Sequence, residues 1–289
     1  MPAAAEVGRT ASVRGLEIFV RERGKGFPLL MINGIGANVD MLDATATALA
    51  RGSRTIAFDA PGTGRSSTPI FPLPIGSVAE VARGLLDELG YAQADVLGFS
   101  HGGLVAQELA RIAPERVRRL ALVSTACGWG SHLGDPAALS VLATPLPYYS
   151  RSFSATTSQF YGERDRVVDA SLHEARVGSP PSPLGYAYQL LAAVTWSSLP
   201  WLETLRQPTL VIAGDDDRVS VTANGVQLAQ LIKNSRLHVL PGEGHLALFD
   251  PASGAQPLLA DFFSAPDLAA AASWKGGLQF GKDGDALAA

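Results

Sequence analysis

Ser100 lies in the run Val96-Leu97-Gly98-Phe99-Ser100-His101-Gly102-Gly103, a Gly-x-Ser-x-Gly pattern set between two kinds of element. Asp95 to Phe99 is a short apolar run that predicts a buried strand, and Leu104 to Ala113 predicts a helix. A strand that turns at once into a helix holds the turn residue in a strained backbone conformation. Gly98 and Gly102 lack a Cβ, so two backbones can close up at that turn. The hydroxyl then stands at the carboxyl edge of a sheet with a helix N-terminus behind it. Unpaired N–H groups and partial positive charge at that end suit a developing oxyanion. The chemistry this spacing serves is nucleophilic attack by a serine.

A serine nucleophile needs a base, and the base needs an orienting group. His245 follows the strand pattern Leu237 to Leu240 and sits between Gly244 and Leu246. Asp217 stands three residues after Gly214, past the strand pattern Thr209 to Ala213. Residues at the carboxyl ends of parallel strands converge on one edge however far apart they are in sequence. Ser100, Asp217 and His245 are therefore the expected catalytic set. Asp215 and Asp216 adjoin Asp217, and one of the three can cap the following helix, so Asp216 is the next candidate for the acid. The oxyanion hole is expected from the backbone N–H groups of His101 and Ile35, the latter in Asn33-Gly34-Ile35-Gly36. The His101 side chain heads into a helix start and reads as structural or pocket-lining. His238 reads as a core histidine, and His132 and His173 as surface groups. No histidine–carboxylate spacing resembles a metal site, and no cofactor is called for.

These residues need strands and helices to hold them. Leu16 to Glu22, Phe27 to Ile32, Thr55 to Phe58 and Val117 to Val123 read as strands. About Asn38 to Ala50 and Val78 to Leu89 read as helices between them, and Asp59 to Ser67 as a tight loop bracing the site from behind. Alternation of this kind predicts a mostly parallel, doubly wound α/β sheet. It breaks at about Gly128 and resumes at Pro208. Between them prolines cluster (Pro145, Pro147, Pro180, Pro181, Pro183) and aromatics are dense. The expected division is a core of residues 1–128 and 206–265, a helical lid over 129–205, and a mobile Ala- and Gly-rich tail over 266–289. Asn33, Gly34 and Phe99 on the core, with Tyr148 and Trp196 in the lid, are the expected substrate-binding residues.

The 289 residues are 47% hydrophobic and 17% charged with a formal net charge of -4, which speaks for a large core and against a nucleic-acid partner. One cysteine, Cys127, rules out an internal disulfide. Met1 to Thr10 has neither a basic nor an apolar signal region, and no apolar stretch is long enough to span a bilayer, so a cytoplasmic protein is expected. Oligomeric state is not legible.

At these residues, over about Val13 to Ala265, the chain resembles the α/β-hydrolase superfamily, whose Ser…Asp…His order it shares. A narrower likeness lies in Ile32-Asn33-Gly34-Ile35-Gly36-Ala37-Asn38, Ile56 to Gly62, Tyr188-Gln189-Leu190-Leu191, Trp196-Ser197-Ser198, and Gln207 to Asp217. That set is similar to the intracellular poly(3-hydroxyalkanoate) depolymerases. The resemblance implies a serine carboxylic-ester hydrolase acting on hydrophobic 3-hydroxyalkanoate polyester or its oligomers, with a polyester granule surface as partner. Two positions depart from it: His101 where those enzymes tend to have Trp, and Arg218 where they tend to have Pro. Acyltransferase, thioesterase, C–C hydrolase and perhydrolase chemistry use the same triad and stay open, as does a ligand-binding role on the same scaffold.

Overall fold

The computed structural model describes residues 7–162, 170–281 and 286–287. Eight strands form one sheet: β1 (Val7–Val13), β2 (Leu16–Gly24), β3 (Phe27–Ile32), β4 (Ser53–Phe58), β5 (Ala94–Phe99), β6 (Val117–Val123), β7 (Thr209–Gly214) and β8 (Ser235–Leu240). Their spatial order is β1-β2-β4-β3-β5-β6-β7-β8. Strands β3 to β8 pair parallel, while β1 pairs β2 and β2 pairs β4 antiparallel.

The central strands read as unbroken apolar runs because both of their faces are covered. Side chains of a strand alternate, and here each alternate set enters a different core. Leu30, Ile32, Val96, Leu120, Leu122 and Val211 pack on one side with helices α2 (Ile75–Glu88), α3 (His101–Ile112) and α8 (Thr222–Leu231). Leu29, Met31, Leu97, Ala121, Val123 and Leu210 pack on the other with α1 (Asp43–Leu49) and α9 (Ala255–Ser264). Helix α3 is buried from His101 to Ala110, which holds the residue before it rigidly at the sheet edge.

Between β6 and β7 the described residues carry helices α4 (Pro136–Leu142), α5 (Arg151–Thr157), α6 (Ala170–Gly178) and α7 (Pro183–Val194). The two ends of this segment are stitched together. Gly128 bridges Ser197, Trp129 N–H donates to the Trp196 carbonyl at 2.7 Å, and Ser198 N–H donates to the Cys127 carbonyl at 2.9 Å.

Two sequence expectations need correction. Strand β1 was not expected in the Ala-rich N-terminal residues. It forms because Arg14 and Gly15, both at positive φ, make a two-residue hairpin turn onto β2. The stretch after residue 266 is not a loose tail throughout. Helix α10 (Ala272–Lys275) buries Trp274, which stacks on Phe262 at 5.9 Å between ring centroids and lies under the Arg236 guanidinium. Leu278 exchanges two backbone hydrogen bonds with Leu237, at 2.9 and 2.8 Å, so the segment around it covers the β8 edge there.

Candidate active site

Ser100 occupies the turn between β5 and α3 with φ 51° and ψ -120°, a positive φ that a side-chain-bearing residue rarely adopts. The turn is fixed from several sides. Ser100 N–H donates to the Val123 carbonyl at 3.0 Å, and the Ser100 carbonyl accepts from Gly103 N–H at 2.8 Å and Thr125 Oγ1 at 2.7 Å. The flanking glycines are needed for space. A Cβ on Gly102 would stand 2.1 Å from the Ile32 carbonyl oxygen, and one on Gly98 would stand 2.6 Å from the Gly102 oxygen.

His245 Nε2 lies 3.0 Å from Ser100 Oγ. Its Nδ1 lies 3.1 and 3.0 Å from the two carboxylate oxygens of Asp217. Asp217 Oδ1 also accepts from the backbone N–H groups of Val219 at 2.9 Å and Ser220 at 2.8 Å. A carboxylate so placed accepts Nδ1–H, which leaves Nε2 with a free lone pair toward the serine. Asp217 is 3% exposed and His245 5%, so the pair is shielded from bulk water. The neighbouring carboxylates are elsewhere: Asp215 caps Gly242 N–H at 2.5 Å, and Asp216 pairs with Arg218 at 3.1 Å. Phe99 sets its ring 5.3 Å from that of His245, and the Tyr161 carbonyl accepts from both His245 N–H and Arg218 N–H.

Beside the serine, neither the Ile35 nor the His101 backbone N–H has an acceptor among the described residues. The loop carrying Ile35 is braced. Tyr148 Oη donates to the Ile35 carbonyl, and Gly36 N–H donates to Gln189 Oε1 of α7 at 2.7 Å. Buried Asp59 accepts from Val39 N–H at 2.7 Å and Arg65 N–H at 2.8 Å, tying the loop after β4 to the residues behind Ile35. Burial pushes the Asp59 carboxyl up, against the pull of those hydrogen bonds.

Ser100 and Ile35 face a cavity of 480 Å³, a size suited to a small-molecule ligand. Leu104, Leu139, Leu142, Leu190 and Val219 give it apolar walls. Three buried polar atoms on cavity-lining residues have no hydrogen-bond partner among the described residues: His101 Nε2, Ser124 Oγ and Ser220 Oγ. Burial drops the His101 pKa to about 4, with a hydrogen bond to the Gln189 backbone working weakly the other way, so its ring is neutral near pH 7. A second, smaller recess of about 30 Å³ also reaches Ser100. His245, Phe99, Gly34, Tyr148, Tyr161 and Arg176 are among its walls.

Of the expected substrate-binding residues, Gly34, Phe99 and Tyr148 line the smaller recess. Asn33 and Trp196, also expected there, line neither cavity. Asn33 Nδ2 donates to the Asn38 carbonyl at 2.9 Å while its Oδ1 accepts from Gly34 N–H at 2.8 Å, so it shapes the loop. Trp196 donates from its indole to Glu108 Oε2 at 3.0 Å and packs edge-on against Trp201, anchoring the end of the insertion. His173 is not a surface group; it is buried, with Nδ1 2.8 Å from Ser154 Oγ. Ser124, Ser220 and Arg176 were missed. Lone serines carry no pattern, and nothing in the sequence around Arg176 marks it as buried.

The family model described as alpha/beta hydrolase fold matches residues 28–252. A poly(3-hydroxyalkanoate) depolymerase from Ectopseudomonas oleovorans is 39% identical over 238 residues, covering 81% of this chain and 83% of its own length. A 2-hydroxymuconate semialdehyde hydrolase from a Pseudomonas species is 30% identical over 282 residues, 92% of this chain and 96% of that one. Among solved structures, a meta-cleavage product hydrolase from Pseudomonas fluorescens superposes with a TM-score of 0.79 at 23% identity, covering 90% and 99% of the two chains, a likeness of fold.

Proposed function

The chain belongs to the alpha/beta hydrolase family, and from that premise we propose that it hydrolyses hydrophobic carboxylic esters of the 3-hydroxyalkanoate type through an acyl-enzyme on Ser100. The single observation that carries the proposal is the 3.0 Å approach of His245 Nε2 to the Oγ of a serine held at positive φ. His245 takes the Ser100 proton as Oγ attacks the ester carbonyl, and Asp217 stabilises the imidazolium that forms. The Ile35 and His101 amides receive the oxyanion. The imidazolium then protonates the leaving alcohol, and water repeats the sequence to release the acid.

The substrate class is drawn from the cavity and from the depolymerase likeness. Apolar walls suit an alkyl-bearing acyl chain. The three orphan polar atoms would stay unsatisfied against a pure hydrocarbon, whereas a hydroxyacyl chain brings oxygen atoms and hydroxyls to them. Exposed Trp129, Leu133 and Val194, at 76%, 86% and 64%, border the cavity mouth and give the segment over 129–205 the character of a lid that meets an apolar substrate.

The likeness to the 2-hydroxymuconate semialdehyde hydrolase favours C–C bond hydrolysis by the same triad as the second reading. A panel of p-nitrophenyl acyl esters, 3-hydroxyacyl oligomers of graded length and a dienone acid, run against purified protein, separates the two. Ester and oligomer turnover that disappears in Ser100→Ala supports the first; turnover of the dienone acid alone overturns it.

A further inference from the structure

His101 follows the nucleophile directly, and its side chain is 7% exposed. It lines the 480 Å³ cavity but not the smaller recess that holds His245. Its Nε2 has no hydrogen-bond partner among the described residues. The ring does hydrogen-bond the Gln189 backbone, and that contact favours the protonated ring. The backbone group is therefore the Gln189 carbonyl, and the ring nitrogen facing it, Nδ1, carries the proton. A neutral imidazole has one N–H and one lone pair. With the proton on Nδ1 the lone pair falls on Nε2, which can only accept. An acceptor left buried and unmet costs free energy that a donor in the cavity recovers.

We infer that His101 is a specificity-determining residue whose Nε2 accepts a hydrogen bond from a free hydroxyl on the acyl chain, close to the ester carbonyl. This rests on the ester reading above and narrows it. Reach comes first. The His101 amide receives the oxyanion, and the ring begins only a few bonds from that amide, so Nε2 meets the part of the chain next to the carbonyl. A 3-hydroxyl, on the second carbon beyond the carbonyl carbon, stands there. Charge comes next. Among the described residues no lysine, arginine or carboxylate side chain lines the cavity, so an ammonium donor would be buried without a counter-ion and a neutral donor is left. The companions of His101 then favour a hydroxyl over an amide N–H. Ser124 Oγ and Ser220 Oγ line the same cavity and also lack hydrogen-bond partners among the described residues. A hydroxyl that gives its proton to Nε2 keeps lone pairs for a serine O–H, which an amide N–H does not have. The 3-oxygen must therefore be unesterified. Once acylated or alkylated it has no proton to give, so the site separates a 3-hydroxyacyl group from a 3-acyloxyacyl group as well as from a plain acyl group.

The test compares the p-nitrophenyl esters of 3-hydroxybutyrate, 3-methoxybutyrate and butyrate. The methoxy ester is larger than the hydroxy ester and butyrate is smaller, and neither can donate. The wild type should favour the hydroxy ester over both in kcat/KM, by about tenfold or more. His101→Leu should bring both ratios toward one. His101→Gln, whose amide oxygen can accept in place of Nε2, should keep part of them, which also covers the case in which the Leu variant fails to fold. Cleavage of all three esters by the wild type at similar kcat/KM, or ratios unchanged in His101→Leu, overturns the inference and leaves the ester reading standing. If no ester is cleaved, the ester reading alone is refuted, and protection of Ser100 from a fluorophosphonate reads the same contact without turnover. Stronger protection by methyl 3-hydroxybutyrate than by methyl 3-methoxybutyrate, lost in His101→Leu, supports the hydroxyl site; equal protection, or none by either, overturns it.

Discussion

A serine at φ 51° is useful only if its partners are fixed to match, and here each has one task. Asp217 to Asn should lower kcat about 10³- to 10⁴-fold by presenting the wrong histidine tautomer, whereas Asp216 to Asn should change it less than twofold, because that carboxylate faces Arg218. Steady-state rates on a p-nitrophenyl ester check both. Removing the Tyr148 hydroxyl with Phe frees the Ile35 carbonyl; kcat should fall about tenfold, with KM and melting temperature little changed. His101 gives a pH signature. Its folded pKa, about 4, lies below the ordinary 6.5, so the unfolded chain binds more protons between those values. Stability contributed by keeping His101 neutral is complete above pH 6.5 and is lost as pH falls toward 4, about 3 kcal/mol in all. Burial and the Arg176 and Arg151 charges lower His173 as well, adding a slope of the same sign. The melting-temperature difference between wild type and His101→Gln, followed from pH 7 to 4, isolates the His101 share and should shrink as pH falls. At this scale the sequence was legible where a residue stood at a strand end flanked by glycine, as Ser100 and His245 do. It put Asp217 first and Asp216 next among three adjacent carboxylates; what separates them is the turn of the loop, which sends Asp215 to Gly242 N–H and Asp216 to Arg218.

Continuous apolar runs marked the central strands, because alternate residues of each strand feed different cores and both faces are apolar. Sequence pattern failed where an element is held by a few anchors. The segment after residue 266 is Ala- and Gly-rich, so its order hangs on Trp274 against Phe262 and on the Leu278–Leu237 pair. Arg119 holds the other side of the same helix, bonding the Phe262 and Ala265 carbonyls at the end of α9. Trp274 to Ala should cost about 3 kcal/mol, seen in urea unfolding, without a change in KM. Trp196 misled in the opposite direction. An aromatic in a lid-like segment suggests a substrate wall, but its indole N–H found a buried carboxylate at Glu108 first.

Insertion and core share the site across the whole molecule. The Tyr161 carbonyl receives the backbones of both Arg218 and His245, and Gln189 of α7 reaches across to Gly36. The break in alternation at Gly128 made the insertion visible in sequence, but these cross-links depend on docking that no local pattern encodes. Gln189 to Ala should therefore lower both kcat, about tenfold, and stability, about 1 kcal/mol, within a single cooperative transition followed by fluorescence and activity together. The most direct measurement is the mass of a fluorophosphonate adduct and the peptide that bears it. A single adduct on Ser100, formed at a rate that drops at least a hundredfold in His245→Ala, is the predicted result. An unlabelled Ser100 in folded protein, or a labelling rate indifferent to His245, would contradict the nucleophile assignment.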